Sequence, residues 1–189
     1  MKIVFVSSLL PAGHYSQYLT NAISSQRDLQ LTVYTDKNSR NLGVKNCGVI
    51  RTVWSKNYRF IFQIIRQVAR DKPDVIHLQY EINMYGDLLT AILFPFLLLL
   101  LKIMNYETVV TIHAIVERSL IDEDFAWFFG KTSYSPLLIK FFFLFSYNLI
   151  SFFSSALIVH SERMKDSLCR ENKISSNHVA VIPHGVPTK

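Results

Sequence analysis

The chain alternates short apolar runs with longer segments in which apolar residues recur at helical spacing. Short runs rich in valine, isoleucine and leucine, bounded by polar or turn-forming residues, predict β-strands, and the segments between them predict α-helices. Such alternation is typical of βαβ units, whose right-handed crossovers build a parallel sheet with helices on its faces. We therefore expect an α/β fold with a doubly wound parallel sheet. The predicted strands are 2–7, 29–35, Val49–Trp54, 74–79, 107–113, 155–160 and 179–183.

Two of the predicted helices are more apolar than packing against a sheet requires. Residues 88–101 and 137–153 are apolar nearly all round, whereas the helix at 57–72 is basic and amphipathic. A helix that covers one face of a sheet needs only one apolar stripe. The surplus indicates contact with lipid or with a partner protein, and Pro95 predicts a kink or break in the first of the two. The segment between them, 114–134, is predicted to be a long polar and aromatic loop.

Composition favours one cytoplasmic domain with an anionic partner. The chain has 189 residues, half of them apolar, and a formal net charge of +6. The length suffices for one sizeable core, and the charge suits phosphates, a nucleotide or an acidic membrane surface. Nucleic acid is a weaker choice, because no recognised binding motif accompanies the charge. Cys47 and Cys169 form no CxxC pair, and Ser7 and Ser8 interrupt the first apolar run, so a reducing cytosol fits better than secretion.

The candidate chemistry lies where the predicted strands end. Ligands of doubly wound sheets bind beyond the carboxyl ends of the strands, so residues that follow the strands should share one rim. Loops are polar in any case, but histidine or glutamate recurs at several of these ends. The candidate binding residues are Gly13, His14, Gln79, Tyr80, Glu81, Ser161, Glu162, His184 and Gly185.

His113 carries the most specific hypothesis among these residues. An imidazole at a strand end can hydrogen-bond a ligand hydroxyl or phosphate, or move a proton near neutral pH. The alternative is a histidine that only bonds neighbouring backbone. Gly13 would let the backbone approach a phosphate, although neither a GxGxxG nor a GxxxxGK[ST] pattern is present. No histidine and cysteine spacing indicates zinc, so we expect no metal.

Four segments, in order, carry a resemblance to a known family. "PDVIHLQYEINMYGD", "VVTIHA", "ALIVHSERMKDSL" and "VAVIPHGVP" resemble the N-terminal half of GT-B glycosyltransferases, and most closely the group-one enzymes of glycosyltransferase family four. The resemblance spans essentially the whole chain. It implies a Rossmann-like domain, residues 1–189, that binds the acceptor in a two-domain enzyme. The second domain would hold a nucleotide-sugar, the co-substrate, and transfer would retain configuration and need no metal or other cofactor.

The resemblance also implies roles for individual residues. His113 would be the active-site histidine that contacts the donor sugar. Gly13 would lie in the loop that approaches donor and acceptor, and Gly185 at the start of the crossover to the second domain. Many relatives have Gly-Gly where this chain has Gly13-His14, and aspartate where it has Ala114. The sequence "DED" at 122–124 matches a metal-binding DxD pattern, but it lies in the predicted loop rather than at a strand end.

The donor-binding half is expected to be missing from this chain. No two glutamates have the E-x7-E spacing of that half; Glu162 and Glu171 are nine positions apart. We expect the chain alone to be inactive, and the second domain to be provided in cis or by a partner chain. The acceptor is expected to be a glycan or lipid-linked sugar at the inner face of a membrane. The alternatives are a non-catalytic membrane-docking subunit of a split glycosyltransferase and, on the same fold, an epimerase or phosphorylase.

Overall fold

Seven parallel strands form the centre of the molecule in the computed structural model, which describes residues 1–8, 14–26, 28–39, 49–130 and 135–184. Gly13, Cys47 and Gly185 lie outside these ranges. The sheet order is β3-β2-β1-β4-β5-β6-β7, which confirms the predicted doubly wound α/β fold. The strands are β1 (Lys2–Val6), β2 (Gln30–Asp36), β3 (Val49–Trp54), β4 (Val75–Tyr80), β5 (Glu107–Ile112), β6 (Ala156–Val159) and β7 (Val179–Val181).

Six helices connect these strands in the part of the chain described. Helix α1 spans His14–Ser24, α2 Phe60–Asp71, α3 Leu88–Ile103, α4 Glu123–Gly130, α5 Pro136–Phe153 and α6 Glu162–Asn172. Single 3₁₀ turns cover Arg118–Leu120 and Ser176–His178. Helices α2, α3, α5 and α6 contribute to the larger apolar cluster on one face of the sheet, and residues of α1 pack on Phe5, Leu31 and Val33 in a smaller one.

The period of two along the strands separates a core face from a second, more polar face. On β4, Ile76, Leu78 and Tyr80 belong to the larger apolar cluster, while His77 and Gln79 alternate with them. Successive side chains of a strand point to opposite faces, so His77 and Gln79 lie on the face away from α3 and α5. The polar residues of β4, β5 and β6 can therefore meet one another on this second face.

Helix α3 forms because its cap and its burial outweigh an internal proline. The Asp87 side chain accepts a hydrogen bond from the Thr90 N–H at 3.1 Å and starts the helix. The helix runs through Pro95, so of the predicted kink or break, the break does not occur. A proline inside a helix costs about 3 kcal/mol, and burial of Phe94 and Leu97, each 0% exposed, offsets that cost.

The segment predicted as a long loop contains a helix. Helix α4 begins after Asp122, whose carboxylate accepts a hydrogen bond from the Phe125 N–H at 2.9 Å. Asp122, Glu123 and Asp124 thus cap and open a helix, where negative charge is favourable. The helix was not predicted because the aromatic residues that follow show no clear helical spacing along the chain. In the structure α4 packs against α5.

Helix α5 is the one described helix that is long and apolar enough to cross a membrane by length and composition. Its side chains Ile139, Phe143, Tyr147 and Ile150 are nevertheless buried against the domain. Ser135 caps the helix, accepting from the Leu137 N–H at 3.3 Å, and Pro136 occupies the first turn. Because one stripe of α5 belongs to the core, we describe it as part of the α/β domain.

Candidate active site

A chain of polar contacts crosses the second face of the sheet and ends at its carboxyl edge. The Gln79 amide N–H donates to His77 Nε2 at 3.1 Å, and the Thr111 hydroxyl bonds the same nitrogen at 2.7 Å. The Gln79 carbonyl oxygen accepts from His113 Nε2 at 2.6 Å. Gln79 is fully buried, and Tyr85 donates its hydroxyl to the Gln79 backbone carbonyl at 2.8 Å. The glutamine is therefore a fixed support that sets the orientation of the His113 ring.

His113 lies directly after β5 and is half-buried. Its backbone N–H donates to the Tyr80 carbonyl at 3.1 Å, which continues the parallel ladder by one residue. Burial lowers the pKa of His113 to about 4, and the neighbouring imidazoles of His160, His184 and His77 add to this effect. Burial alone lowers the pKa of His77 to about 4 as well. Both rings are therefore neutral at pH 7, and a neutral imidazole can both donate and accept a hydrogen bond.

His160 is a site residue that the sequence analysis missed. It follows β6 as His113 follows β5, and it is only 8% exposed. Its Nδ1 bonds the Ile182 carbonyl at 3.0 Å, and its Nε2 lies 3.3 Å from His113 Nδ1. Burial lowers the pKa of His160, although the bond to Ile182 opposes that shift. The signal in the sequence is a shared ending, since "VTIH" and "LIVH" both close an apolar strand with histidine.

His184 completes a cluster of three imidazoles. Its ring stacks on that of His160 with 3.6 Å between centroids, and its centroid lies 6.0 Å from that of His113. Unlike the other two rings, it is exposed. Three residues from the ends of β5, β6 and β7 thus meet at one point of the carboxyl edge, which is where ligands of this architecture bind.

Comparison with known proteins identifies the family of this domain. The family model described as Glycosyltransferase Family 4 matches residues 12–189, nearly the whole chain. The chain belongs to Glycosyltransferase Family 4. A comparison with curated protein sequences gave no significant match.

Solved structures of similar fold support the family 4 assignment at the level of architecture. Alr3699/HepE from Anabaena, in complex with UDP and glucose, is 13% identical with a TM-score of 0.56; the match covers 98% of this chain and 45% of that protein. The glycotransferase of kitacinnamycin is 12% identical with a TM-score of 0.61, covering 100% and 52%. The lipopolysaccharide outer core galactosyltransferase WaaB is 11% identical with a TM-score of 0.55, covering 100% and 47%. The family 4 chain thus spans about half the length of these proteins.

The other residues that the sequence predicted for the site do not share one location in the family 4 domain. Tyr80 is 3% exposed and packs on Phe94 in the core, with ring centroids 4.6 Å apart, so its side chain faces away from the imidazoles. Neighbours in a strand point to opposite faces, so the Tyr80 side chain does not share the face of Gln79, and a binding role for Tyr80 stays a prediction. Glu81 is exposed beyond the strand.

Ser161 and Glu162 lie at the start of α6. The Ser161 hydroxyl accepts from the Met164 N–H at 3.2 Å, so this side chain caps the helix. Glu162 is exposed in the first turn. His14 is the first residue of α1, while Gly13 and Gly185 lie outside the described residues, so a binding role for these three stays a prediction.

A second polar group at the carboxyl edge surrounds Asp36, which the sequence analysis did not select. Its carboxylate is 1% exposed and accepts hydrogen bonds from the Ser8 and Ser39 hydroxyls, each at 2.6 Å. Burial by itself would raise the pKa of Asp36, but these two hydrogen bonds and the charge of Lys56 lower it. The hydrogen bonds of this carboxylate are made within the domain, and the bond from Ser8 links the ends of β1 and β2.

Proposed function

We propose that this family 4 domain is the acceptor-side half of a retaining glycosyltransferase. It would act in polysaccharide or glycoconjugate synthesis, moving a sugar from a nucleotide-sugar to a glycan or lipid-linked acceptor. The observation that carries the proposal is the buried Gln79 amide, which holds the His113 ring 2.6 Å away at the carboxyl edge of the sheet. The UDP and glucose bound to Alr3699/HepE support a nucleotide-sugar donor.

In this proposal His113 positions the reacting sugar. Its Nε2–H is directed at Gln79, which leaves Nδ1 on the side of the ring that faces His160 and the edge of the sheet. A sugar hydroxyl that enters this edge can donate to Nδ1. A positioned neutral imidazole of this kind typically contributes about 10²-fold or more to a rate.

The donor-binding residues would come from a second domain, in the same polypeptide or in a partner chain. The match to only about half of the similar structures supports this division. We propose that the transfer step needs no metal, because basic side chains and helix N-termini can stabilise the departing diphosphate. Such stabilisation acts on the charge that develops in the transition state.

We also propose that the domain works at the cytoplasmic face of an anionic membrane. The outward sides of α3 and α5 are apolar, and Lys102 and Lys140 lie beside them. Interfacial binding strengthens when basic residues flank an apolar surface. A lipid-linked acceptor would then reach the carboxyl edge from the bilayer. The exposed apolar side chains are Leu89, Ile92, Phe96, Ile103, Leu137, Leu138, Phe141, Phe145 and Phe152.

A His113→Ala variant of the complete two-domain enzyme tests the proposal. Turnover should fall on the order of 100-fold, because a positioned hydrogen-bonding group is lost. The matched control is His178→Ala. His178 bonds the Ser151 carbonyl at 3.0 Å and lies far from the cluster, so its replacement should leave turnover unchanged. Unchanged turnover in a folded His113→Ala enzyme would contradict the catalytic assignment.

The second candidate function is a membrane-docking subunit of a split glycosyltransferase. The exposed apolar surface of α3 and α5 favours it, because that surface could hold the domain and its donor-binding partner at a bilayer. The same variants separate the two functions. A docking subunit predicts normal turnover with His113→Ala and loss of turnover when Phe141 and Phe145 become glutamine. The enzyme proposal predicts that His113→Ala abolishes most turnover even with a soluble acceptor analogue.

A further inference from the structure

A polar cavity lies at the amino edge of the sheet, opposite to the histidines. Its volume is about 270 Å³, and it lies between the first residues of β1 and β2 and the last turn of α2. The proposed sugar transfer belongs to the carboxyl edge, so this cavity is separate from the candidate active site. The polar and charged residues of its lining are Lys2, Gln30, Thr32, Arg51, Arg70 and Asp71.

Hydrogen bonds hold the Arg51 guanidinium in place on one wall of the cavity. Its Nη1 donates to both carboxylate oxygens of Asp71, at 2.6 and 2.7 Å. Tyr34 and Gln67 donate to the same carboxylate at 2.6 and 3.2 Å, so Asp71 is itself fixed. Among the described residues, the Nε and Nη2 groups of Arg51 have no hydrogen-bond acceptor. The guanidinium is therefore oriented in advance and keeps donors for a ligand.

Positive charge exceeds negative charge around this cavity. The lining has three cationic side chains and one carboxylate, and Asp74 beside it adds a second carboxylate, which accepts the Lys2 backbone N–H at 2.7 Å. In the part of the chain that the structure describes, neither Arg70 nor the Lys2 ammonium forms an ion pair. The carboxyl end of α2 adds only about half a negative charge, which does not cancel the excess. Like charges around one cavity repel, and an anion between them removes that repulsion.

The size and the donors of the cavity suit a small oxyanion. Sites for drug-sized ligands are about 300–1,000 Å³ and mostly apolar, so a smaller and polar cavity suits a smaller and polar ligand. A guanidinium presents paired N–H donors that match the oxygens of a phosphate group. The Thr32 hydroxyl and the Gln30 amide in the same lining can donate further hydrogen bonds.

We propose that this cavity binds one phosphate group, as inorganic phosphate or as the phosphate of an ester. Arg51 and Arg70 donate to the phosphate oxygens, and Lys2 adds a third positive charge. The bound group takes no part in sugar transfer, because it lies at the opposite edge of the sheet. It joins β1, β3 and α2, so its binding stabilises the folded domain.

The test is a titration of the purified chain with inorganic phosphate by calorimetry at constant ionic strength. We expect one phosphate per chain and a higher midpoint temperature of unfolding in phosphate than in chloride, because a ligand of the folded state stabilises it. Arg70→Gln should weaken binding on the order of tenfold, since a charged hydrogen bond is lost. The matched control is Arg66→Gln. Arg66 lies one turn earlier on α2, is exposed and is not in the lining, so its replacement removes the same charge and should not change binding.

Vesicles of phosphatidylcholine with phosphatidic acid distinguish the two sources of the phosphate group. If the group belongs to a lipid headgroup, Arg70→Gln weakens co-sedimentation with these vesicles and Arg66→Gln does not. If the group belongs to a soluble compound, the two variants co-sediment alike, while calorimetry still separates them. Arg70 is exposed, so its replacement leaves the fold intact. The proposal is overturned if neither assay separates Arg70→Gln from Arg66→Gln. No sugar or turnover enters these assays, so their outcome is separate from that of the proposed function.

Discussion

Helices α2 and α3 pack side by side on the same face of the sheet, yet their outer surfaces differ. Both bury an apolar stripe, which includes Ile64 and Val68 in α2 and Phe94 and Leu97 in α3. The outer side of α2 carries arginine and glutamine, with Phe62 as its one large exposed apolar side chain. The outer side of α3 exposes leucine, isoleucine and phenylalanine, and α5 beside it does the same.

The comparison shows that packing on the sheet does not explain the outer faces of α3 and α5. Helix α2 packs on the same face of the sheet with a polar outer side. Its single exposed apolar residue is normal on any protein surface. A contiguous apolar surface on two neighbouring helices instead marks a site of interaction with lipid or protein. Variants of buried and of exposed side chains separate the inner role of these helices from the outer one.

The largest effect is expected from Phe94→Ala on the inner side of α3. Phe94 is fully buried, so its truncation should lower the free energy of unfolding by about 4 kcal/mol through lost burial and a cavity. Phe96→Ala, two residues away and 50% exposed, should change it by less than about 0.5 kcal/mol. Urea denaturation of both variants measures the difference. Equal losses would contradict the division of α3 into an inner and an outer side.

A smaller loss in the free energy of unfolding is expected from Asp71→Asn at the end of α2. Asp71 pairs with Arg51 at 2.6 Å and accepts the Tyr34 hydroxyl at 2.6 Å. Its removal should cost about 2 kcal/mol at pH 7, because these groups lose a charged partner. The control is Asp28→Asn, because Asp28 is exposed.

The pH dependence of that cost has a definite sign. Burial alone would raise the pKa of Asp71, but hydrogen bonds from Tyr34, Gln67 and Arg51 lower it. A carboxylate with a lowered pKa stabilises the fold above its unfolded pKa of about 3.9 and ceases to do so as the pH falls through the folded value. The stability gap between Asp71→Asn and the unmodified chain should therefore be constant near neutrality and shrink below about pH 4. A gap that widens in acid would refute this account.

Membrane binding should depend on the outer side of α5. Changing Phe141 and Phe145 together to glutamine should weaken binding to vesicles that contain phosphatidylglycerol about tenfold, because apolar area no longer enters the interface. Phe62→Gln on α2 is the matched control, since Phe62 is equally exposed but stands alone on a polar face. Co-sedimentation measures both variants. Unchanged binding of the double variant would point to a protein as the occupant of this surface.

The smallest effect is expected from the charge beside that surface. Lys102 donates to the Phe152 carbonyl at 2.6 Å, and its ammonium lies 4.7 Å from the centre of the Phe152 ring. Lys102→Gln should weaken binding to anionic vesicles about fivefold, on the scale of 1 kcal/mol for each basic residue near the surface. The effect should vanish in high salt, which screens it. Lys37→Gln, away from α3 and α5, serves as the control; an equal loss there would show that only net charge matters.

Much of the fold was predictable because its signals are local. All seven strands were predicted within about two residues at each end, which is the usual uncertainty of boundaries. The active-site hypothesis for His113 followed from its place after an apolar strand. Helix α4 was missed; it packs against α5, and a contact of this kind is not contained in the local pattern.

The sequence by itself determined which segments are strands and most of those that are helices, and that α3 and α5 carry more apolar surface than a sheet can use. These features depend on residue period and composition, which are properties of neighbours along the chain. Only the tertiary structure decided that Gln79, His113 and His160 meet while Tyr80 enters the core. His113 is 34 residues from Gln79 and 47 from His160. Contacts over such separations depend on strand order and register, and these arise from the packing of the whole domain.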